Sequence, residues 1–327
     1  MATVETVQGP VDTADLGTTL MHEHLFIVDT EVRQNSPGGE AELDSDAVLD
    51  DAVAKLERVA AKGVRTVVDP TVIGLGRYIP RIQRLAERLA GRADVNIVPA
   101  TGVYTFTDVP PAFEYRGPGT ILGGPDPMVE LFVRDIEQGI ADTGVKAAFL
   151  KCATDAHGVT HGVERVLRAA AQAHLRTGAP IMTHTHAGLH MGLEQQRIFR
   201  EEGVDLSRVI IGHSGDSTDL DYLQRLLDAG SILGMDRFGI DLLCPFEDRV
   251  ATVAALCERG YAGRMVLAHD AACHTDMFTR EQLAATAPNW HFEHIHDDVL
   301  PALRSRGVSD DQIEEMLVRT PQRFFGD

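Results

Sequence analysis

Two histidines near the start of the chain, His22 and His24, are separated by a single residue and follow an apolar run. Alternate side chains of an extended backbone project from the same face, so this spacing would present two imidazoles to one metal ion. A His-x-His pair on its own is also common as a surface accident or in a hydrogen-bonded turn. The function of His22 and His24 therefore depends on what the rest of the chain places beside them.

Four further strand-like runs end in a polar residue that could join them. Taken singly, a histidine at such a position often only forms a hydrogen bond, and an aspartate often caps the following helix. Their joint occurrence predicts one shared metal site, and its nitrogen and oxygen ligands suit zinc, or cobalt, iron or manganese. With His22 and His24, the predicted site contains Lys151, His184, His213 and Asp270.

Lys151 is the unusual member of this set, because a bare cation is costly at the end of a buried strand and repels divalent metals. Its amine would lose a proton easily there, and a neutral amine can react with carbon dioxide to form a carbamate. A carbamate is a two-oxygen anion that could bridge two metal ions. The alternative is a lysine paired with Asp270 in a barrel without metal.

The elements that must position these residues are short apolar strands alternating with amphipathic helices. Eight such strands, apolar on both faces, predict a (β/α)8 TIM barrel. An open doubly wound sheet would show the same alternation, but only a closed ring brings the ends of the first and eighth strands together. We expect one barrel domain, residues 1–327. The predicted strands lie around residues 20–25 and at 64–69, 95–102, 145–151, 180–184, 209–213, 231–236 and 265–270, and the predicted helices at 45–62, 78–89, 126–142, 163–177, 193–202, 220–229, 248–259, 297–306 and from Ser309 onward.

Composition narrows the functional classes. The formal net charge of −19 argues against binding nucleic acid or an anionic membrane surface. No signal peptide is recognisable, and no apolar run approaches the roughly 18 residues of a membrane span. The four scattered cysteines indicate reduced thiols, so a cytoplasmic protein is expected. The histidines at 291, 294 and 296 follow no strand and are interpreted as packing or solvated residues.

Several motifs together resemble one family. They are Met21-His-Glu-His24, Leu150-Lys-Cys-Ala-Thr-Asp155, Thr183-His-Thr185, Ile211-Gly-His-Ser-Gly-Asp216, Met235-Asp-Arg-Phe-Gly239 and His269-Asp270. The combination, which spans nearly the whole chain, is similar to the phosphotriesterase-like lactonases of the amidohydrolase superfamily. The resemblance implies a homodimeric hydrolase with a binuclear metal centre. It would open N-acyl-homoserine lactones, a quorum-quenching activity, and hydrolyse organophosphate triesters weakly.

The resemblance also implies individual roles. The residues matching the ligands of a buried metal are His22, His24 and Asp270, and those matching an exposed metal are His184 and His213. Lys151 matches the carboxylated lysine that bridges the metals together with a hydroxide. Tyr104 matches a tyrosine near the bridging water and the substrate carbonyl, although it could simply be a packing aromatic. Arg237 matches an arginine of the seventh loop, where a substrate contact and a loop-bracing salt bridge are both open.

The expected mechanism uses Asp270 to accept a proton and pass it to the leaving alkoxide. Departures from the family at Phe106, Ala272 and Met277 are expected to line the pocket, which leaves the preferred acyl chain open. Three other functions also remain open. They are a dedicated phosphotriesterase (aryldialkylphosphatase), a single-metal amidohydrolase such as a deaminase, and a non-catalytic, metal-dependent barrel that binds lactones.

Overall fold

A parallel β-sheet of eight strands forms the centre of the molecule. The computed structural model describes residues 2–326, without the side chains of residues 40 and 41. Each strand pairs with the next one along the chain, so the chain order is also the order around the sheet. The strands are β1 (Thr18–Leu20), β2 (Val64–Asp69), β3 (Asn96–Gly102), β4 (Phe149–Ala153), β5 (Ile181–His184), β6 (Val209–Ile211), β7 (Ile232–Met235) and β8 (Met265–Leu267).

A helix follows each strand on the outside of the sheet. They are α1 (Asp46–Ala61), α2 (Ile79–Leu89), α3 (Pro127–Glu137), α4 (His161–Thr177), α5 (Met191–Glu202), α6 (Leu220–Asp228), α7 (Phe246–Glu258) and α8 (Leu300–Ser305). Local signals set their ends: Ser45 caps the first turn of α1 through the Val48 N–H, and Gly178 ends α4 with a φ of 76°. No helix within the described residues is long and apolar enough to cross a bilayer.

Shorter elements complete the chain. The short α-helices are Thr30–Gln34, Gly39–Leu43, Pro111–Glu114, Arg280–Thr286, Asp310–Glu314 and Thr320–Gly326. The 3₁₀ turns are Thr13–Asp15, Ala187–Leu189, Leu206–Arg208, Ser214–Asp216 and Ala262–Arg264, and the π turns are Ile295–Val299 and Glu315–Arg319. A small hairpin pairs Thr3–Val4 with Val11–Asp12.

The sheet curls into a nearly closed barrel. Strands β1 and β8 are at its two edges, and no regular ladder joins them. Backbone hydrogen bonds beyond the strand ends close the gap: the Asp270 N–H donates to the His22 carbonyl (2.9 Å) and the His24 N–H to the Ala271 carbonyl (2.7 Å). The molecule is therefore a (β/α)8 barrel, as predicted, and the segments after β1 and β8 are in direct contact.

Both faces of the strands are buried, which explains their nearly continuous apolar sequences. One apolar cluster fills the barrel interior with side chains from several strands, including Val68, Phe149, Met182, Ile210 and Val266. The C-terminal helix Thr320–Gly326 adds Phe324 and Phe325 to the same cluster. A larger cluster lies between the strands and the surrounding helices. The interior is thus a packed core, and space for a ligand remains only at an end of the barrel.

One predicted element is wrong in a way that affects the site. The sequence predicted a single extended segment through His22 and His24, but β1 ends at Leu20 and the chain bends before a second strand, His24–Ile27. This strand pairs in parallel with Ala272–Thr275, which the sequence analysis treated as loop. The ring centroids of His22 and His24 still lie only 5.5 Å apart. A bend, and not strand alternation, brings them together.

Other boundaries also differ from those predicted. Helix α3 ends at Glu137 and not at residue 142, because Gly139 adopts a φ of 120° shortly after it. The helix Gly39–Leu43 lies outside the predicted helices and strands. The helix predicted from Ser309 onward is confirmed, and Ser309 and Gln312 form a capping box at its start.

Candidate metal centre

All eight residues that the sequence singled out line one cavity at the C-terminal ends of the strands. Its volume is about 320 Å³. The eight are His22, His24, Tyr104, Lys151, His184, His213, Arg237 and Asp270. They come from seven different strand ends or from the loops that follow them, so the barrel closure described above is what assembles the cavity.

The deeper half of the site contains three potential ligands from both sides of the barrel seam. Asp270 Oδ1 lies 3.2 Å from His22 Nε2 and 3.1 Å from His24 Nε2. A tetrahedral ion bound at about 2.0–2.1 Å separates its ligands by roughly 3.3 Å, so these spacings fit one zinc-like ion. The three residues also form one of the described clusters whose ligand atoms all lie within 4.8 Å of one another.

The outer half of the site contains a second pair. His184 Nδ1 lies 2.8 Å from His213 Nε2, and the Tyr104 hydroxyl lies 3.3 Å from the same His184 nitrogen. Asp270 connects the two halves, because its other oxygen is 3.8 Å from His213 Nε2. A carboxylate between two imidazole groups suits a pair of ions better than a single one.

Lys151 is 1% exposed and lies between the two halves. Its Nζ is 3.2 Å from His22 Nε2 and 3.2 Å from the Thr183 carbonyl. Burial lowers the pKa of this amine to about 8, despite the nearby carboxylates of Asp270 and Asp236. In the described part of the chain no carboxylate oxygen lies within 4 Å of Nζ, so the pairing with Asp270 considered as an alternative is not formed.

Each of the four imidazoles has its other ring nitrogen fixed by a neighbour. Asp236 bridges two rings: its oxygens lie 3.1 Å from His22 Nδ1 and 2.8 Å from His213 Nδ1. With Nδ1 as the donor to Asp236, the unprotonated Nε2 of each ring faces the other candidate ligands, which is the arrangement found around metal-bound histidines. The remaining pairs are His184 Nε2 with Asp155 (2.7 Å) and His24 Nδ1 with Thr71 (2.7 Å), whose hydroxyl donates to Asp69.

Asp236 and Asp155 were missed by the sequence analysis as site residues. Asp236 directly follows β7 and Asp155 closely follows β4, which is the same signal that identified the other site residues. Asp236 also accepts the backbone N–H of His213 at 2.9 Å. Its pKa is strongly lowered, since the hydrogen bonds and charges of His213 and His22 outweigh the burial that would raise it. It is therefore an anion that orients one ligand in each half.

Arg237 braces Asp270. Its Nε donates to Asp270 Oδ2 at 3.0 Å, and its Nη1 donates to Asp216 at 3.0 Å. Asp216 in turn accepts a hydrogen bond from Arg249, which fixes Asp216 and through it the position of Arg237. Arg237 lies at the cavity wall, where it both fixes the carboxylate and faces the space for a substrate.

Three of these strand-end residues have left-handed backbones: His213 (φ 59°), Arg237 (φ 63°) and Asp270 (φ 57°). This conformation is uncommon for residues other than glycine and costs on the order of 1–3 kcal/mol each. Here it turns the side chain away from the strand direction and into the cavity. The strained backbone conformation thus directs these three side chains toward the candidate metal centre.

The ionisation of the groups suits metal binding. Burial lowers the pKa of His184 to about 4 and also lowers those of His22 and His213, so these rings are uncharged at neutral pH and each has one nitrogen without a proton. His24 differs: burial opposes protonation, but the carboxylates of Asp270 (3.1 Å) and Asp69 (3.7 Å) raise its pKa. Burial would raise the pKa of Asp270, but His22, His213 and Arg237 hold it well below the usual value.

The outer wall of the cavity is apolar. Leu242 is 82% exposed and Met277 56% exposed, although both line the cavity. The other apolar lining residues are Ile27, Leu75, Ile240, Leu243, Phe278 and Trp290. Of the three departures from the family pattern, only Met277 lines the cavity. The expectation is wrong for Phe106, which packs on the rings of Tyr104 and His184, and for Ala272.

The C-terminal histidines stand apart from this centre. His294 is 2% exposed, and its Nδ1 pairs with Asp298 at 2.7 Å. None of the three belongs to a described group of side chains that could hold a metal. Their interpretation as packing or solvated residues agrees with this arrangement.

Comparison with known proteins adds to this geometry. Residues 2–325 match the sequence profile of the phosphotriesterase family. This chain belongs to that family. A "Phosphotriesterase homology protein" of Mycobacterium tuberculosis is 61% identical over 99% of this chain and 98% of its own. A solved structure titled as the phosphotriesterase from Mycobacterium tuberculosis superimposes with a TM-score of 0.95 at 61% identity, covering 99% and 98% of the two chains.

More distant relatives of this chain have different names. An "Aryldialkylphosphatase" of Saccharolobus solfataricus is 39% identical over 96% of both chains. An "N-acetyltaurine hydrolase" of Danio rerio is 24% identical over 98% of this chain and 97% of its own. The relatives are thus named as hydrolases of different substrates, and the His and Asp clusters of this chain agree with dependence on divalent metal.

Proposed function

We propose that this phosphotriesterase-family hydrolase is a lactonase that opens N-acyl-homoserine lactones and hydrolyses organophosphate triesters as a side reaction. One observation carries the proposal. The inner end of the cavity, here called the floor, is formed by the candidate metal ligands His22, His24, Lys151, His184, His213 and Asp270. The outer wall, here called the rim, is apolar and partly exposed, and it is formed by Ile27, Leu75, Ile240, Leu242, Leu243, Met277, Phe278 and Trp290. A lactone with an acyl tail combines a carbonyl for the floor with an apolar chain for the rim.

Two divalent ions, with zinc as the first candidate, would be held by the side chains described above. His22, His24 and Asp270 would hold the inner ion and His184 and His213 the outer one, with a carboxylated Lys151 between them. When bound, the ions supply activated water at neutral pH and polarise the bond to be broken.

The chain's own residues would complete the chemistry. Asp270 is ionised and fixed by Arg237, so it is placed to accept the proton of the attacking water and return it to the leaving oxygen. The hydroxyl of Tyr104 remains protonated, because burial raises its pKa, and it can donate to an oxygen that becomes negative. The rim side chains, among them Leu242 and Met277, would exclude water from the acyl chain.

A dedicated phosphotriesterase is the second candidate. It is favoured by the 39% identical relative named as an aryldialkylphosphatase. A phosphoryl oxygen can occupy the same place as a lactone carbonyl, so the floor does not separate the two substrates. Selectivity between lactones and triesters must therefore come from the rim residues.

The deciding experiment uses purified, metal-reconstituted protein. Acid release is measured for γ- and δ-lactones of graded chain length, and kcat/KM is compared with that for paraoxon. We expect lactones to be preferred and two ions per chain at full activity. Higher kcat/KM for paraoxon than for every lactone would favour the second candidate. Full activity with one ion per chain would support a single-metal amidohydrolase instead.

The control is Asp270→Asn, in which both activities should fall together if one site serves both. If no lactone releases acid while two ions are bound, the lactonase proposal is wrong. Lactone binding without hydrolysis would then support the non-catalytic barrel.

A further inference from the structure

The seam between β8 and β1 is where the inner half of the site is assembled. No regular ladder joins these two strands. Nevertheless, His22 and His24 come from one side of the seam and Asp270 from the other, with 3.1–3.2 Å between the relevant atoms. Anything that sets the width of this seam therefore sets the spacing of the three groups.

Glu23 lies within this seam and is completely buried. One carboxylate oxygen accepts the backbone N–H of His269 at 2.8 Å and the ring Nδ1–H of the same residue at 2.5 Å. The other oxygen accepts the backbone N–H of Ala271 at 3.1 Å. Glu23 thus bonds the residues on either side of Asp270.

The backbone of Glu23 is fixed as well. Its N–H donates to the Val68 carbonyl on β2 at 3.0 Å. Since its side chain reaches across to the β8 end, one residue ties three neighbouring parts of the barrel together. In a parallel sheet these N–H groups would bond to a neighbouring strand, so the carboxylate takes the place of ladder hydrogen bonds at the ends of β1 and β8, next to the parallel pair formed by His24–Ile27 and Ala272–Thr275.

The partner histidine is held in one orientation. The Ile295 N–H donates to His269 Nε2 at 2.9 Å, which makes that nitrogen an acceptor and leaves the proton on Nδ1, facing Glu23. Trp290 Nε1 donates to the His269 carbonyl at 2.8 Å. His269 is therefore held with its Nδ1–H pointing at Glu23, and neither residue contacts solvent.

We propose that Glu23 is the positioning residue of the inner metal ion. Its carboxylate fastens the seam, and so holds Asp270 at ligand distance from His22 and His24 without touching the ion itself. This inference rests on the two-ion site of the proposed function. It predicts that changes at Glu23 release the inner ion before they affect the outer pair, His184 and His213.

The test compares Glu23→Gln and Glu23→Ala with Asp135→Asn. Asp135 is equally buried and accepts hydrogen bonds from Arg77 (2.9 Å) and Thr101 (2.7 Å), away from the site. Metal release into excess 1,10-phenanthroline is followed for each zinc-loaded protein. We expect one of the two ions to leave about 10–100-fold faster in the Glu23 variants, as for the loss of other outer-shell partners. Asp135→Asn should lose thermal stability but keep the wild-type release rate.

A spectroscopic measurement separates positioning from general loosening. In cobalt-substituted protein, the visible absorption of the Glu23 variants should change in the contribution of the inner ion, while Asp135→Asn keeps the wild-type spectrum. If Glu23→Ala does not fold, His269→Phe removes one of the three hydrogen bonds and should accelerate release to a smaller extent. Wild-type release rates in every soluble Glu23 and His269 variant would overturn the inference.

The result also distinguishes this inference from the proposed function. Metal release needs no substrate, so the role of Glu23 stands if two ions bind and no lactone is hydrolysed. A wild-type protein that binds no divalent ion would overturn both.

Discussion

The floor and the rim of the cavity are built in opposite ways. On the floor, His22, His184 and His213 are at most 2% exposed, and each has a second partner that fixes its ring. On the rim, Leu242 and Phe278 are 82% and 46% exposed and present only apolar groups. Polar groups on the floor are costly to move, whereas rim side chains contact mainly solvent and each other.

This difference separates reaction from specificity. A buried, fully paired floor can hold reactive groups within the narrow limits that metal chemistry demands. An exposed apolar rim can change its residues at little cost in stability and so alter which substrate fits. We therefore expect activity to depend on individual atoms of the floor residues, and substrate preference to depend only on the size of the rim side chains.

The most severe test of the floor is Lys151→Ala. If the lysine bridges two ions, its loss should remove both and lower activity on the order of 10³-fold or more. Metal content and kcat/KM measure this, and short carboxylic acids should restore part of the activity by replacing the carbamate. Lys146→Ala, at a lysine beside Glu5 on the surface, is the control. Full activity in Lys151→Ala would mean that the floor needs no bridge.

The two carboxylates that orient imidazoles, Asp236 and Asp155, should affect the binding of different numbers of metal ions. Asp236 contacts one imidazole of each half, whereas Asp155 contacts only His184. Asp236→Ala should weaken binding of both ions by about 10–100-fold, and Asp155→Ala only that of the outer ion. Competition titration with a coloured chelator resolves the two affinities. Equal effects of both variants on both ions would show that the halves are not independent.

The assembly of the floor should depend on pH through Lys151. Carbon dioxide reacts only with the neutral amine, and burial lowers the pKa of Lys151 to about 8. At constant dissolved carbon dioxide, the rate at which metal reactivates the apoprotein should therefore increase about tenfold for each unit by which the pH rises toward 8. Above pH 8 the rate should level off. An ordinary lysine, with a pKa near 10.4, would give rates that still rise steeply between pH 8 and 9.5.

The smallest effects are expected at the rim. Leu242→Ser and Met277→Ser should raise KM for long-chain lactones by a few-fold to about tenfold and leave short-chain lactones nearly unchanged, because a lost apolar contact at a partly exposed side chain is worth about 1 kcal/mol, the lower end of the usual range. Leu175→Ser is the control, since Leu175 is exposed on α4, outside the cavity lining. Equal losses for short and long chains would mean that the rim acts on the reaction itself.

The residues alone were sufficient to predict the barrel and six of the cavity-lining residues, and the family resemblance added Tyr104 and Arg237. Apolar strands buried on both faces leave a distinct sequence pattern, and a polar side chain at the end of such a strand stands out against it. In a parallel barrel all of these ends meet at one face, so the ligands could be grouped before any contact was known. The motifs of the family resemblance added the assignment to inner and outer ions, which remains a prediction.

Other features depended on contacts between distant parts of the chain. The bend after Leu20 and the left-handed backbone of Asp270 have no local pattern that sets them apart, and the strand-end positions of Asp236 and Asp155 do not show which imidazoles they orient. Glu23 is the clearest case. In sequence it is a charged residue between two histidines, and only closure of the barrel buries it against residues about 246 positions away. Hydrogen bonds of this kind exist only when the whole ring has formed, so the tertiary structure alone could reveal them.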